Sequence, residues 1–260
     1  MVETLKDFSL DLFSVKGKVA IVTGGNTGLG QGYAVALAKA GADVFVVSYD
    51  QDWQETRELI EEEGRKVEFF QADLTDRNQI KAVVDTCLNV YGQIDILVNN
   101  AGTIRRAPLL EYKPEDWDAV IEINLNAVYL LSQEVAKVMV NQKNGKIINI
   151  CSMLTFQGGK FVPPYTASKH AVAGVTKSFA NELAEHNIQI NAIAPGYVAT
   201  ANTAPIRADE KRNQEILSRI PAGRWAQPAD LMGTVVFLSS PASDYVNGHV
   251  LAIDGGWLAR

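Results

Sequence analysis

A chain of 260 residues, 47% of them hydrophobic, can bury a large core as one α/β domain. Its formal charge of −6, with no run of Lys or Arg, argues against a surface that tracks a phosphate backbone, so no nucleic acid is expected as a partner. Cys87 and Cys151 sit in apolar segments without C-x-x-C spacing, which excludes a disulfide framework or a zinc ribbon and fits a reducing cytoplasm.

In chain order, the opening stretch MVETLKDFSLDLFSVKGK scatters acidic residues through its length and has no unbroken apolar core. It reads as a short ordered lead-in, neither a secretory signal nor a membrane span. Seven short apolar runs follow: VAIV (19–22), VFVV (44–47), VEFF (67–70), IDILV (94–98), KIINI (146–150), IQINAI (188–193) and VLAI (250–253). Most read as buried strands. Between them, QGYAVALAKAG, RNQIKAVVDTCLNVYG and EDWDAVIEINLNAVYLLSQEVAKVMV return apolar residues every three or four positions, as helices do. The alternation predicts a three-layer α/β/α Rossmann-type doubly wound sandwich with a seven-stranded parallel sheet, residues 1–260 forming a single domain. Ligands of such a sheet belong at the carboxyl ends of its strands. The acidic run Glu61, Glu62, Glu63 reads as a solvated helix end.

The end of the first strand carries TGGNTGLG, Thr23 to Gly30. Gly24, Gly28 and Gly30 there follow a strand and open a helix, with Asn26, Thr27 and Leu29 between them. Unpaired N–H groups at a helix start stabilise a pyrophosphate, and side chains at the glycines would block its approach. The spacing is G-x-x-x-G-x-G, and its strand-to-helix context favours nucleotide binding over a simple tight turn.

Tyr165 and Lys169, in VPPYTASKHAVAGVTK, are four residues apart and share a helix face. A free phenol has a pKa of about 10, so a tyrosine that trades protons near neutrality needs a positive charge nearby, which a lysine can supply. Ser152 lies thirteen residues earlier, at the end of the KIINI run, and can donate to a substrate oxygen as charge develops there. Together the three suggest acid/base chemistry. His170, His186 and His249 have no ligand spacing, so no metal is expected.

TGGNTGLG, the Asp73-Leu74 pair after the third strand, NNAG from Asn99 to Gly102, Asn124, Ser152, Tyr165, Lys169 and Pro195-Gly196 occur in that order. In order and spacing the set resembles the short-chain dehydrogenase/reductase family over essentially the whole chain. The resemblance implies a nicotinamide dinucleotide, with Tyr165 as general base and Lys169 both tuning it and holding the nicotinamide ribose. It assigns Asp73, beside Leu74, to the adenine amino group. It puts Asn100, Ala101 and Gly102 along the cofactor's middle, and Pro195 and Gly196, with Val198 and Thr200 beyond, near the nicotinamide. Asn124 would support a water-mediated proton path to the lysine. The resemblance further implies a substrate lid around 199–224 and a homotetramer.

At the end of the second strand an acidic side chain would hold a ribose 2′-hydroxyl and a basic one a 2′-phosphate. The chain reads VFVVSYDQDW, with Ser48 where the family's NAD-preferring members usually carry Asp, and neither Arg nor Lys in its place. Thr27 is not basic either, and NAD(H) is expected. After NNAG come Arg105 and Arg106, whose forked guanidinium groups suit a carboxylate, so the expected substrate is an acid. With these residues, CSMLTFQGG, which contains Gln157, and the ending DGGWLAR resemble the branch of the family that handles sugar acids. Ser152, Tyr165, Gln157, Arg105 and Arg106 form the expected substrate site. Arg207, Arg219 and Arg224 in the lid segment could reach an anionic ligand, but scattered charges of this kind read as mostly solvated.

Overall fold

The structure, a computed structural model, describes residues 9–260. The first eight residues of the expected lead-in lie outside the described residues. Ser9 caps a short 3-10 turn at Leu10–Phe13, its hydroxyl accepting from the Asp11 N–H at 3.1 Å.

The seven predicted runs form β1 (Val19–Thr23), β2 (Asp43–Ser48), β3 (Val67–Gln71), β4 (Ile96–Asn99), β5 (Gly145–Ile150), β6 (Ile188–Pro195) and β7 (Val250–Ile253). They pair in the order β3-β2-β1-β4-β5-β6-β7, every pair parallel. Strands with helices on both faces bury side chains of both parities, which is why runs such as VAIV, VFVV and VLAI are continuously apolar rather than alternating. In β1, Ala20 and Val22 join one core cluster while Val19 and Ile21 join another on the opposite face. The first core is filled by Tyr33 and Leu37 of α1 (Gly28–Lys39) and Leu231, Val235 and Leu238 of α9 (Ala229–Ser239). The second is filled by Ile80, Val83 and Val84 of α3 (Arg77–Tyr91) and Leu131, Val135 and Met139 of α5 (Ala127–Gln142).

The long apolar-periodic segment after NNAG is not one regular helix. It runs as α4 (Pro114–Ile121), a π-helical turn over Glu122–Asn126, and then α5. A π turn packs one residue more than an α turn and marks a place where a side chain is redirected. Asn124, within that turn, is fully buried.

The remaining helices are α2 (Gln54–Glu61), α6 (Pro163–Leu183), α7 (Ala204–Ala208) and α8 (Glu210–Leu217). The last two make up half of the predicted lid, and Arg224 clamps its far end to Asp230 of α9 through bonds of 2.7 Å to each carboxylate oxygen. No helix among the described residues is long and apolar enough to cross a membrane.

Candidate active site

The sheet reverses its winding between β1 and β4, and a cleft of about 880 Å³ opens at the carboxyl ends there. Hydrogen bonds lace the two strand ends together. Thr23 Oγ1 accepts from the Asn100 and Ala101 N–H groups at 3.0 and 2.9 Å, and Asn100 Nδ2 donates to the Thr23 and Gly24 carbonyls at 2.9 and 3.1 Å. The glycine turn is thereby fixed against NNAG. A Cβ on Gly30 would land on the Gly24 carbonyl oxygen, so only glycine lets α1 start there. Thr27 makes no side-chain cap, and the turn from Asn26 to Gly30 lines the cleft with the open N-terminus of α1. That cradle fits a pyrophosphate, and with it a dinucleotide.

Ser152, Tyr165 and Lys169 meet on the cleft wall. Ser152 stands two residues past the end of β5 and caps a short turn: its Oγ accepts from the Leu154 N–H at 3.2 Å, leaving the hydroxyl proton free to point elsewhere. Tyr165 lies in the first turn of α6, which Pro163 and Pro164 start. One turn on, the buried Lys169 ammonium donates to the Ile150 carbonyl at 2.6 Å and sits 5.6 Å from the centre of the Tyr165 ring. The Thr155 hydroxyl donates to the Lys169 carbonyl at 3.1 Å, tying the serine turn to the catalytic helix.

Asn124 does not line the cleft. Its Nδ2 donates to the Thr103 carbonyl at 3.0 Å and to Ser168 Oγ at 3.3 Å, and Ser168 Oγ donates to the Tyr165 carbonyl at 2.8 Å. The bulged turn is therefore linked to the strand-end loop and to the tyrosine's own backbone. Gly102 permits this, since a Cβ there would stand 2.9 Å from Asn124 Oδ1. Asn99, the first residue of NNAG, also faces inward, donating to Ser132 Oγ at 2.9 Å and Asn149 Oδ1 at 2.8 Å.

Of the other expected residues, Gly24, Gly28, Leu29, Asn100, Ala101, Gly102, Arg106, Gln157, Pro195, Gly196, Val198 and Thr200 line the cleft. Arg105 does not: it faces Asp116, Nε to Oδ1 3.8 Å. Ser48, Asp73 and Leu74 are also off the cleft wall. The Ser48 hydroxyl donates to the Asp50 carbonyl at 2.7 Å and accepts from Trp53 Nε1 at 2.7 Å, so its hydrogen-bonding capacity is directed into its own loop. Asp73 Oδ1 holds Thr75 through N–H and hydroxyl bonds of 2.9 and 2.7 Å, and Leu74 packs in the core. The sequence reading missed four cleft residues in particular: Thr103, Tyr197, Arg212 and Trp257. It read Arg219 as solvated, whereas that residue borders the cleft.

Among the described residues, the cleft wall carries Arg106, Lys160, Lys169, Arg212 and Arg219 but not one Asp or Glu. In a chain of net charge −6 that concentrates positive potential where a ligand enters. Cys151 is on the same wall, but burial pushes its thiol up against the opposing pull of the Lys169 charge, so it is a poor nucleophile. Among the described residues no three His, Cys, Asp or Glu side chains gather as a metal site.

The sequence model of the short chain dehydrogenase family matches residues 18–211. The chain belongs to that family. As a short-chain dehydrogenase it is an oxidoreductase that acts on CH–OH groups with a nicotinamide cofactor. It is 57% identical over 252 residues to 2-dehydro-3-deoxy-D-gluconate 5-dehydrogenase of Bacillus subtilis (strain 168), covering 96% of this chain and 98% of that one. It is 51% identical over 259 residues to the uncharacterized oxidoreductase YgcW of Escherichia coli (strain K12), covering 100% and 99% of the two chains. Among solved structures, a candidate 2-deoxy-D-gluconate 3-dehydrogenase from Agrobacterium tumefaciens, with bound NADP, matches with a TM-score of 0.90 and 49% identity over 95% of this chain and 99% of its own.

Proposed function

We propose that this enzyme transfers a hydride between NAD(H) and a sugar acid, with 2-dehydro-3-deoxy-D-gluconate and its 2,5-diketo form, 3-deoxy-D-glycero-2,5-hexodiulosonate, as the substrate pair. The observation that carries the reading is the cleft wall of five cations and no carboxylate, in a chain 57% identical to an enzyme named for that substrate. Arg106, on the cleft wall and without an ion-pair partner among the described residues, is the carboxylate's partner beside the strand ends.

The nicotinamide ring supplies the hydride acceptor in the oxidative direction. Tyr165 takes the hydroxyl proton of the substrate. Ser152 donates its free hydroxyl proton to the same oxygen, which holds it in place as the bond order changes. Lys169, fixed by the Ile150 carbonyl, sets a positive charge beside the phenol and holds the nicotinamide ribose. Asn124 is a positioning residue: it fixes the loop that follows NNAG and, through Ser168, the backbone of Tyr165. The open N-terminus of α1 binds the pyrophosphate.

NAD(H) rather than NADP(H) is proposed because the loop after β2 offers a 2′-phosphate no free cation. Ser48 is committed to Trp53 and Asp50, while Arg57 stacks over the Phe69 ring at 4.8 Å and faces Glu61 at 3.5 Å. Asp50 and Asp52 add negative charge to that loop. The relative solved with NADP makes the comparison worth measuring directly. Nicotinamide absorbance followed with both cofactors, against 2-dehydro-3-deoxygluconate, gluconate, 5-ketogluconate and 2-deoxygluconate, tests both halves. No turnover with any of these acids would sink the substrate reading, and a higher kcat/KM with NADPH would sink the cofactor reading.

A further inference from the structure

We propose that Arg219, on the lid, is a specificity-determining residue that recognises the carboxylate of the substrate together with Arg106 of the strand-end loop. The inference rests on the sugar-acid reading and deepens it. Four arginines lie in the lid segment. Arg212 donates to Glu215 at 3.0 Å and Arg224 to Asp230, while Arg207 donates to the Thr200 carbonyl at 3.1 Å, keeps a buried Nε without a partner among the described residues, and does not border the cleft. Arg219 differs from all three. Its guanidinium carbon lies 4.0 Å from the centre of the Trp257 ring, and among the described residues it has no carboxylate partner.

Trp257 is a prepared platform. It is 4% exposed, its Nε1 donates to Gln157 Oε1 at 3.3 Å, and Tyr197 packs edge-on against it at 4.9 Å. A guanidinium stacked on an aromatic face keeps its N–H edges free, which is the presentation that a carboxylate needs for two parallel hydrogen bonds. Tyr197 adds a neutral donor alongside. Arg212 and Arg219 line the same side cavity as this phenol, and their charges oppose the upward push of its burial. A side cavity of about 370 Å³ is lined by Tyr197, Arg212, Glu215, Ile216, Ser218, Arg219 and Trp257; Tyr197, Arg212, Arg219 and Trp257 also line the main cleft, while Glu215 pairs with Arg212 at 3.0 Å and is off the cleft wall. The anion site is thus continuous with the catalytic cleft and held by two segments distant in sequence, the lid and the C-terminal turn.

Placing a second anchor on the lid has a kinetic meaning. A substrate with a carboxylate gives α8 and its flank a charged contact inside the cleft, and a neutral sugar does not. Acid recognition and covering of the site then draw on one residue.

The test compares a sugar acid with its own neutral carboxamide as ligands of the enzyme–NADH complex. Wild type should favour the acid, and Arg219→Gln should shrink the acid-to-amide ratio roughly ten- to a hundredfold, the scale of a charge-assisted hydrogen bond, while NADH binding stays unchanged. Arg219→Lys, which keeps the charge and loses the fork, should fall between them. If Arg219→Gln weakens acid and amide alike, the residue only braces the lid and the inference is overturned. Should Arg219→Gln fail to fold, a wild-type ratio in Arg219→Lys overturns it instead. Wild type that binds neither ligand would overturn the sugar-acid reading and this inference together, whereas an unchanged ratio in the variants overturns this inference alone.

Discussion

The side-chain amide of Asn124 grips Thr103 from both ends, Oδ1 accepting from the Thr103 N–H at 2.8 Å and Nδ2 donating to the Thr103 carbonyl at 3.0 Å. A peptide-like clamp of this kind mimics a strand pairing with one side chain, and it sets the course of the loop that carries Arg106. Asn124→Asp keeps the size of the side chain but removes the donor, leaving the Thr103 carbonyl and Ser168 Oγ without their partner. Loss of a buried partner costs about 1–3 kcal/mol, so calorimetry should show a melting temperature several degrees lower, accompanied by a reduced kcat. An unchanged melting temperature would mean that the clamp adds nothing to stability.

Tyr165→Phe retains the ring and deletes the proton-transfer group. kcat should drop by about 10²–10⁴, with the dissociation constant for NADH, read by fluorescence, close to wild type. Near-normal turnover in this variant would remove Tyr165 from the mechanism.

Both thiols should be silent in the native enzyme. Burial pushes the Cys87 thiol up to about 12 and raises Cys151 as well, and the thiolate is the reactive form. At pH 8 an aromatic disulfide reagent should release almost no colour until the chain is unfolded, when two equivalents should appear. Rapid release of one equivalent from folded protein, with loss of activity, would reopen a role for Cys151.

The Arg224–Asp230 clamp should make a small, pH-dependent contribution at the end of the lid. The guanidinium and the Gln227 N–H hold the Asp230 carboxyl at about 2, below its ordinary range. A depressed folded-state value stabilises the fold above the unfolded carboxyl's pKa of about 4 and is lost as the pH falls toward the folded value. The pair is largely exposed, so solvent and salt screen it. Asp230→Asn should therefore melt a few degrees lower at most at pH 7, and the gap from wild type should narrow below pH 4. A gap that persists or widens in acid would contradict this account.

All seven strands and the glycine turn were legible because a parallel sheet buried on both faces demands predominantly apolar runs, and several of those runs end at chemically distinctive residues. Tyr165 and Lys169 were legible through helical spacing, which is local. What the sequence hid depends on tertiary direction. The apolar period of residues 115–140 is nearly the same for an unbroken helix and for one holding a π turn, so the inward turn of Asn124 could not be read from it. Arg105 and Arg106 are chemically alike, and only the fold sends one to Asp116 and the other to the cleft. Arg219 looked like a solvated charge because its platform, Trp257, lies 38 positions further along the chain.

The turn at Glu122–Asn126 absorbs its surplus residue locally. Successive residues of an α-helix are about 100° apart around its axis, and the wider π turn spreads one residue more over about the same rotation. α4 therefore keeps its contact with α6, and Leu131, Val135 and Met139 of α5 stay on the sheet. Deleting one residue from this turn would restore a regular helix with both flanks still packed, and what it would cost is the aim of Asn124 at Thr103.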